Sequence, residues 1–148
     1  MTQTLFMEGT TRTWEHPETI SRGRLPARAS LVSFPTIEGA LKGNRHNSPL
    51  VLSLNGDWAF QLATRPEAVP TDFPQLDFDD TAWERLPVPS NWTLHGHDRP
   101  HYTNVQMPFA GTAPNVPQEN PTGLYRSWFE VPSDWDGQRV VLNVGGAE

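Results

Sequence analysis

The sequence predicts an all-β fold, and three observations carry that reading. Apolar residues alternate with polar ones over short runs, the period of a half-buried strand. Gly and Pro supply 26 of the 148 residues, so turns are frequent and long helices have little room. Leu, Ile, Val and Phe together make 32 residues, or 22%, just above the level at which disorder becomes the default. Six Trp add apolar area to that count, so a core is possible but thin.

Taken in order, residues 1–48 show no sustained period of 2 or 3.6. Arg22, Arg24, Arg28 and Arg45 are scattered among prolines, and Gly43-Asn44-Arg45-His46-Asn47-Ser48-Pro49 reads as a loop. This stretch holds six Lys/Arg against four Glu, whereas residues 49–148 hold five Arg against thirteen Asp/Glu. Pattern and charge therefore change together, which predicts an extended arm over 1–48 and a domain over 49–148.

Strand signals begin at Leu50. Leu50, Leu52 and Leu54 alternate, Asn55-Gly56 offers a turn, and Trp58, Phe60 and Leu62 alternate again, which predicts a hairpin. Asp79-Asp80-Thr81-Ala82-Trp83 predicts a short helical turn with an Asp cap. Residues 84–122 hold seven prolines, so ordered loop and short strand are expected there. Tyr125, Phe129 and Val131 share one face of a further strand. After a turn at Pro132-Ser133-Asp134-Trp135-Asp136-Gly137, Val140, Leu142 and Val144 alternate in a last one. Four or five strands are fewer than a closed sandwich uses, so an incomplete β-sandwich is expected.

Composition also excludes function classes. Cysteine is absent, which removes disulfides, thiolate metal sites and thiol nucleophiles. The net charge is −6 and Lys42 is the single lysine, so nucleic acid and anionic membranes are poor partners. No apolar run approaches the roughly 18 residues of a membrane helix. The first twenty residues lack the basic start and apolar run of a secretory signal.

Several blocks stand in a fixed order. They are Trp14-Glu15-His16-Pro17, Arg24-Leu25-Pro26, Ser53-Leu54-Asn55-Gly56-Asp57-Trp58-Ala59-Phe60 and Val88-Pro89-Ser90-Asn91-Trp92. His95-Gly96-His97-Asp98, Pro100-His101-Tyr102-Thr103-Asn104-Val105 and Pro117-Gln118-Glu119-Asn120-Pro121-Thr122-Gly123 follow. In order and spacing this set resembles the N-terminal region of the large bacterial β-galactosidases of glycoside hydrolase family 2. The resemblance spans nearly the whole chain.

It implies an arm followed by a jelly-roll sugar-binding domain, of which residues 49–148 would be the first half. It places the two catalytic glutamates on a later (β/α)₈ barrel, so no catalytic residue is expected here. Asn104 and Val105 are the substrate-binding candidates: the resemblance puts Asn104 against the galactosyl ring and Val105 beside it. A carboxamide offers donors and an acceptor to sugar hydroxyls, although asparagine also commonly serves turns. The resemblance further implies Mg²⁺ and Na⁺ for a parent enzyme, a β-galactoside substrate, a homo-oligomer and a cytoplasmic location. No metal is expected in this chain. Thr13 and His16 stand where some members place an Asp and an Asn around a structural Mg²⁺, and neither suits that hard cation.

Other candidates have plainer readings. His95, His97 and His101 form a metal-like pattern, yet a ligand set needs count and geometry that spacing alone does not supply. Asp77-Phe78-Asp79-Asp80 lacks the alternating ligands, Gly and distal Glu of a calcium loop, and reads as a cap with solvated charge. Glu119 lies between Pro117 and Pro121 without a partner carboxylate and reads as a turn residue. Trp92 and Tyr102 suit sugar stacking, but buried packing is the commoner use of large aromatics. Asn91-Trp92-Thr93 fits a glycosylation sequon, which has no meaning in a bacterial cytoplasm. The first expectation is thus the N-terminal fragment of a retaining β-galactosidase, inactive alone. A free-standing carbohydrate-binding module and a complementing peptide for a truncated enzyme are the alternatives.

Overall fold

The computed structural model describes residues 7–8, 11–29, 31–101, 104 and 109–146. Two compact units are present. One gathers the described residues up to Ala27 with Asn55–Ser127, and the other gathers Arg28–Leu54 with the described residues from Trp128 onward.

The first unit is built on a three-stranded antiparallel sheet, as the all-β reading predicts. Strands β1 (Met7–Glu8) and β2 (Thr11–Arg12) form a separate short pair. In the main sheet β3 (Gly56–Ala63) is central, flanked by β4 (Glu84–Val88) and β5 (Thr122–Arg126). Phe60 sits opposite Glu84 on one side and Tyr125 on the other. Because side chains alternate along a strand, Trp58, Phe60 and Leu62 share a face with Leu86, Gly123 and Tyr125. Ala59 occupies the opposite face. Phe60 and Leu86 are the largest fully hidden side chains, and Ala59, Pro66, Val69 and Leu124 complete the buried apolar set among the described residues. Both faces of β3 are therefore covered at its middle, which suits a central strand.

The hairpin expected around Asn55-Gly56 does not form. Gly56 opens β3 itself, paired with Val88 and with φ at +149°, and residues 51–55 lie in no ladder. A two-residue hairpin loop needs its central residues in the left-handed turn region, whereas Gly56 is spent on the ladder to β4. The expected strand through Phe129 and Val131 also stops early, because β5 ends at Arg126. Residues 140–144 pair with no described strand.

The second unit contains α1 (Ile37–Leu41), capped by the Thr36 hydroxyl, which accepts from the Gly39 N–H at 3.1 Å. The turn expected at 132–137 is present as a single 3-10 turn over Ser133–Trp135, with Gly137 in the left-handed region. The Trp135 indole donates to the Pro49 carbonyl at 3.1 Å, and Ser48 Oγ donates to the Ser33 carbonyl at 2.6 Å. Ser48 is the one buried residue of this unit among those described.

Candidate functional site

The segment leaving β4 carries most of the candidate residues. Asn91 caps a 3-10 turn over Trp92–His95, its Oδ1 accepting from the Thr93 N–H at 3.1 Å and the Thr93 hydroxyl at 3.0 Å. Gly96 then reverses the chain in the left-handed conformation, which only a residue without Cβ adopts freely. The His97 N–H returns to the Trp92 carbonyl at 3.3 Å, so the turn is closed at both ends.

That closure lays two rings on the sheet. The Trp92 ring lies 5.9 Å from Phe60, centroid to centroid, and His97 lies 4.8 Å from it. Tyr125 approaches Phe60 from β5 at 4.8 Å, and burial raises its phenol above the ordinary value. A Cβ at Gly123 would overlap the Trp92 ring, so the absence of a side chain there makes the seat for the indole. Trp92 is a packing residue in this arrangement.

The three histidines are used separately. His95 Nε2 is 2.7 Å from Ser90 Oγ, His97 Nε2 is 2.8 Å from Glu84 Oε1, and the His101 ring stands edge-on to Phe109 at 5.4 Å. The structure does not bring them together. His16 Nδ1 faces Glu18 Oε2 at 3.8 Å. Thr13 brings a neutral hydroxyl and His16 an imidazole, and no three His, Asp or Glu side chains converge among the described residues. The residues present do not fit a Mg²⁺ ion, which prefers carboxylate and water oxygens in a strict octahedron.

The acidic run 77–80 divides its work. Asp79 Oδ1 accepts from the Thr81 N–H at 3.0 Å and from the Thr81 hydroxyl at 2.6 Å, as expected of a cap, although a turn rather than a helix follows. These two bonds hold its carboxyl below the usual value of 3.8. Asp80, read from the sequence as solvated charge, is instead paired with Arg126 Nε at 2.7 Å. Arg126 Nη1 also donates to the carbonyls of Phe73 and Gln75, the latter at 3.2 Å, and its guanidinium lies 5.3 Å from the Phe78 ring centroid. The partners are 46 residues apart, so no local signal in the sequence announces them.

A cleft of about 360 Å³ was also not foreseen; Thr13, Trp14, Ile20, Arg22, Pro66 and Thr122 are among its lining residues. Asn104 is exposed in a bend, and Val105 lies outside the described residues. No helix among the described residues is long and apolar enough to cross a membrane.

Comparison with known proteins places this arrangement. Residues 51–148 match the family described as glycosyl hydrolases family 2, sugar binding domain. The chain is 46% identical to a β-galactosidase of Psychromonas ingrahamii over 135 residues, which is 91% of this chain and 13% of that protein. It is 45% identical to one from Vibrio vulnificus strain YJ016 over 134 residues, 89% of this chain and 13% of the relative. A β-galactosidase of Vibrio cholerae is 44% identical over 121 residues, 80% of this chain and 11% of that protein. The chain thus spans about an eighth of the length of these curated relatives. A match across about two thirds of its residues, joined to these identities, shows that the chain belongs to the sugar-binding-domain family of glycosyl hydrolases family 2.

Proposed function

We propose that this chain is the sugar-binding portion of a retaining β-galactosidase that hydrolyses terminal β-D-galactosides such as lactose. The observation that carries the proposal is the 46% identity to a β-galactosidase across 91% of the chain. In this reading residues 1–48 are an arm that runs through subunit contacts, and 49–148 belong to the sugar-binding jelly roll. Asn104 and Val105 meet the galactosyl ring. The partners are the remaining domains of the enzyme and further copies of it, with neither nucleic acid nor membrane involved, and the location is the cytoplasm.

The chemistry expected of the whole enzyme needs two carboxyl groups about 5–5.5 Å apart across the scissile bond. The proposal assigns both to the remainder of the polypeptide and assigns binding, not bond cleavage, to the residues here. Mg²⁺ and Na⁺ would serve the complete enzyme through other residues, given the poor donors at Thr13 and His16. The apolar surface supports a role within a larger assembly. In the second unit Leu31, Ile37, Leu41, Trp128, Leu142 and Val144 are all more than half exposed. Side chains of that size are commonly covered by a partner surface when so many are exposed.

The test is turnover of a chromogenic β-galactoside. The 148-residue chain alone is expected to give background rates, because it supplies binding groups only. Added to a relative whose matching segment has been deleted, it is expected to restore hydrolysis. Turnover by the chain alone, or no restoration in the mixture, overturns the proposal.

A further inference from the structure

The cleft of about 360 Å³ has no part in the function proposed above, and hydrogen-bonded structure forms both of its walls. One wall belongs to the sheet. Thr122 pairs with Ala63 at the end of the ladder between β3 and β5, and the Asn120 N–H donates to the Thr64 carbonyl at 3.2 Å just beyond it. The 3-10 turn over Pro66–Ala68 comes soon after and buries Pro66. The other wall is the segment that follows β2, shaped by its own turns. There the Thr19 N–H donates to the His16 carbonyl at 2.9 Å, and the Arg24 guanidinium donates to the Ile20 carbonyl. Arg12 joins the two walls, its guanidinium meeting Glu15 at 3.1 Å and Glu67 at 3.0 Å.

The chemistry of the lining narrows the ligand. No lining residue carries a carboxylate, so a metal ion or an ammonium group finds no counter-charge there. Glu15 and Glu67, each next in sequence to a lining residue, are both paired with Arg12. Arg22 is the one basic residue in the lining, whereas phosphate groups are commonly met by clustered cations. What remains is the half-buried Trp14 indole beside Pro66 and Ile20, with hydroxyls from four residues, Thr19, Ser21 and Thr122 among them. Ile20 is 77% exposed although it lines the cleft, which leaves apolar surface for an occupant to cover. Apolar walls with a few polar groups are the make-up of small-molecule sites, and the volume falls at the low end of their range of about 300–1,000 Å³.

We propose that this cleft binds a neutral sugar in its pyranose form, with one face of the ring against the Trp14 indole and its hydroxyls bonded to Thr19, Ser21 and Thr122. A pyranose presents a face of C–H bonds that packs on an aromatic ring, and a rim of hydroxyls that donate and accept as serine and threonine do. An occupant also ties the segment after β2 to the sheet. Arg12 alone does so weakly, because its side chain is 47% exposed and solvent screens its pairs. Asn104 is not among the lining residues, so the inference stands apart from the sugar contact proposed for it.

The test is titration of the 148-residue chain with D-galactose and, separately, with D-glucose, followed by NMR. Saturable shifts are expected at the Trp14 indole N–H and at the amides of Thr19 and Thr122. Trp14→Ala should weaken binding about tenfold, the loss of one aromatic contact. Thr19→Val keeps the shape and removes one hydroxyl, and should weaken binding about fivefold. Should Trp14→Ala disturb the fold, Thr19→Val and the resonances of the parent chain still decide. No shift at Trp14, Thr19 and Thr122 with either sugar overturns the proposal, as does equal affinity in the parent and both variants. Inorganic phosphate that saturates the same resonances more tightly than the sugars overturns the ligand class. Sugar shifts confined to Asn104 overturn the cleft site and leave the proposed function standing. Failure to restore hydrolysis in the mixture overturns that function and leaves these resonances to decide the cleft.

Discussion

At Gly123 the absence of a side chain creates a seat for Trp92. A methyl group there would enter the space of the indole, so Gly123→Ala should displace the ring or bend β5. We expect a loss of about 1–3 kcal/mol, typical of overpacking, measured by chemical denaturation with a drop in Trp emission contrast. The Asp80–Arg126 pair is mostly hidden, with side chains 20% and 10% exposed. Asp80→Ala takes the carboxylate away from the guanidinium, and a loss of about 2 kcal/mol is expected, below the figure for a fully buried pair. Asp79 supplies a pH signature. Its carboxyl is held low by Thr81, so its contribution is complete above the usual value of 3.8 and is lost as pH falls through the lowered folded value. The Thr81 amide resonance should shift below that pH in the parent chain and not in Asp79→Asn. A shift in the variant would contradict the assignment. The Asp79 cap was legible in the sequence because its partner is two residues away. The Asp80 pairing was not, since its partner is 46 residues away.

Among the elements, β3 decides the sheet. The alternation of Trp58, Phe60 and Leu62 was legible, because a period of 2 is imposed by the backbone itself. The identity of its neighbours was not. Local pattern favoured Leu50–Leu54 across Asn55-Gly56, whereas the ladders run to Glu84–Val88 and Thr122–Arg126. A pairing over tens of residues is chosen by which apolar faces can cover Phe60, and that choice has no local marker. Tyr125 meets it from β5, Leu86 shares its face from β4, and the Trp92 and His97 rings pack against it. Phe60→Ala should therefore cost about 3–5 kcal/mol and remove cooperativity from thermal unfolding, because the hidden apolar set is so small. A cooperative transition with an unchanged midpoint would show that the sheet does not depend on this ring.

Across the whole molecule, the two units differ in how much apolar surface they hide. Every buried apolar residue among those described lies in the unit built on β3, β4 and β5. Residues 140–144 of the other unit pair with no described strand, and Val140, Val141, Leu142 and Val144 are all exposed. The thin core read from composition is thus concentrated in one place. Family membership was legible from the ordered blocks between Trp14 and Gly123, and the match over 51–148 agrees with it. The galactoside contact proposed for Asn104 rests on one of those blocks, and no pattern of burial or charge announces it.

The most direct measurement is kcat/KM for a chromogenic β-galactoside, with the 148-residue chain added to a relative lacking the matching segment. Restored turnover is predicted, falling about tenfold when the added chain carries Asn104→Ala, the loss of roughly one good polar contact. No turnover from the mixture, or equal turnover with Asn104→Ala, would contradict the account.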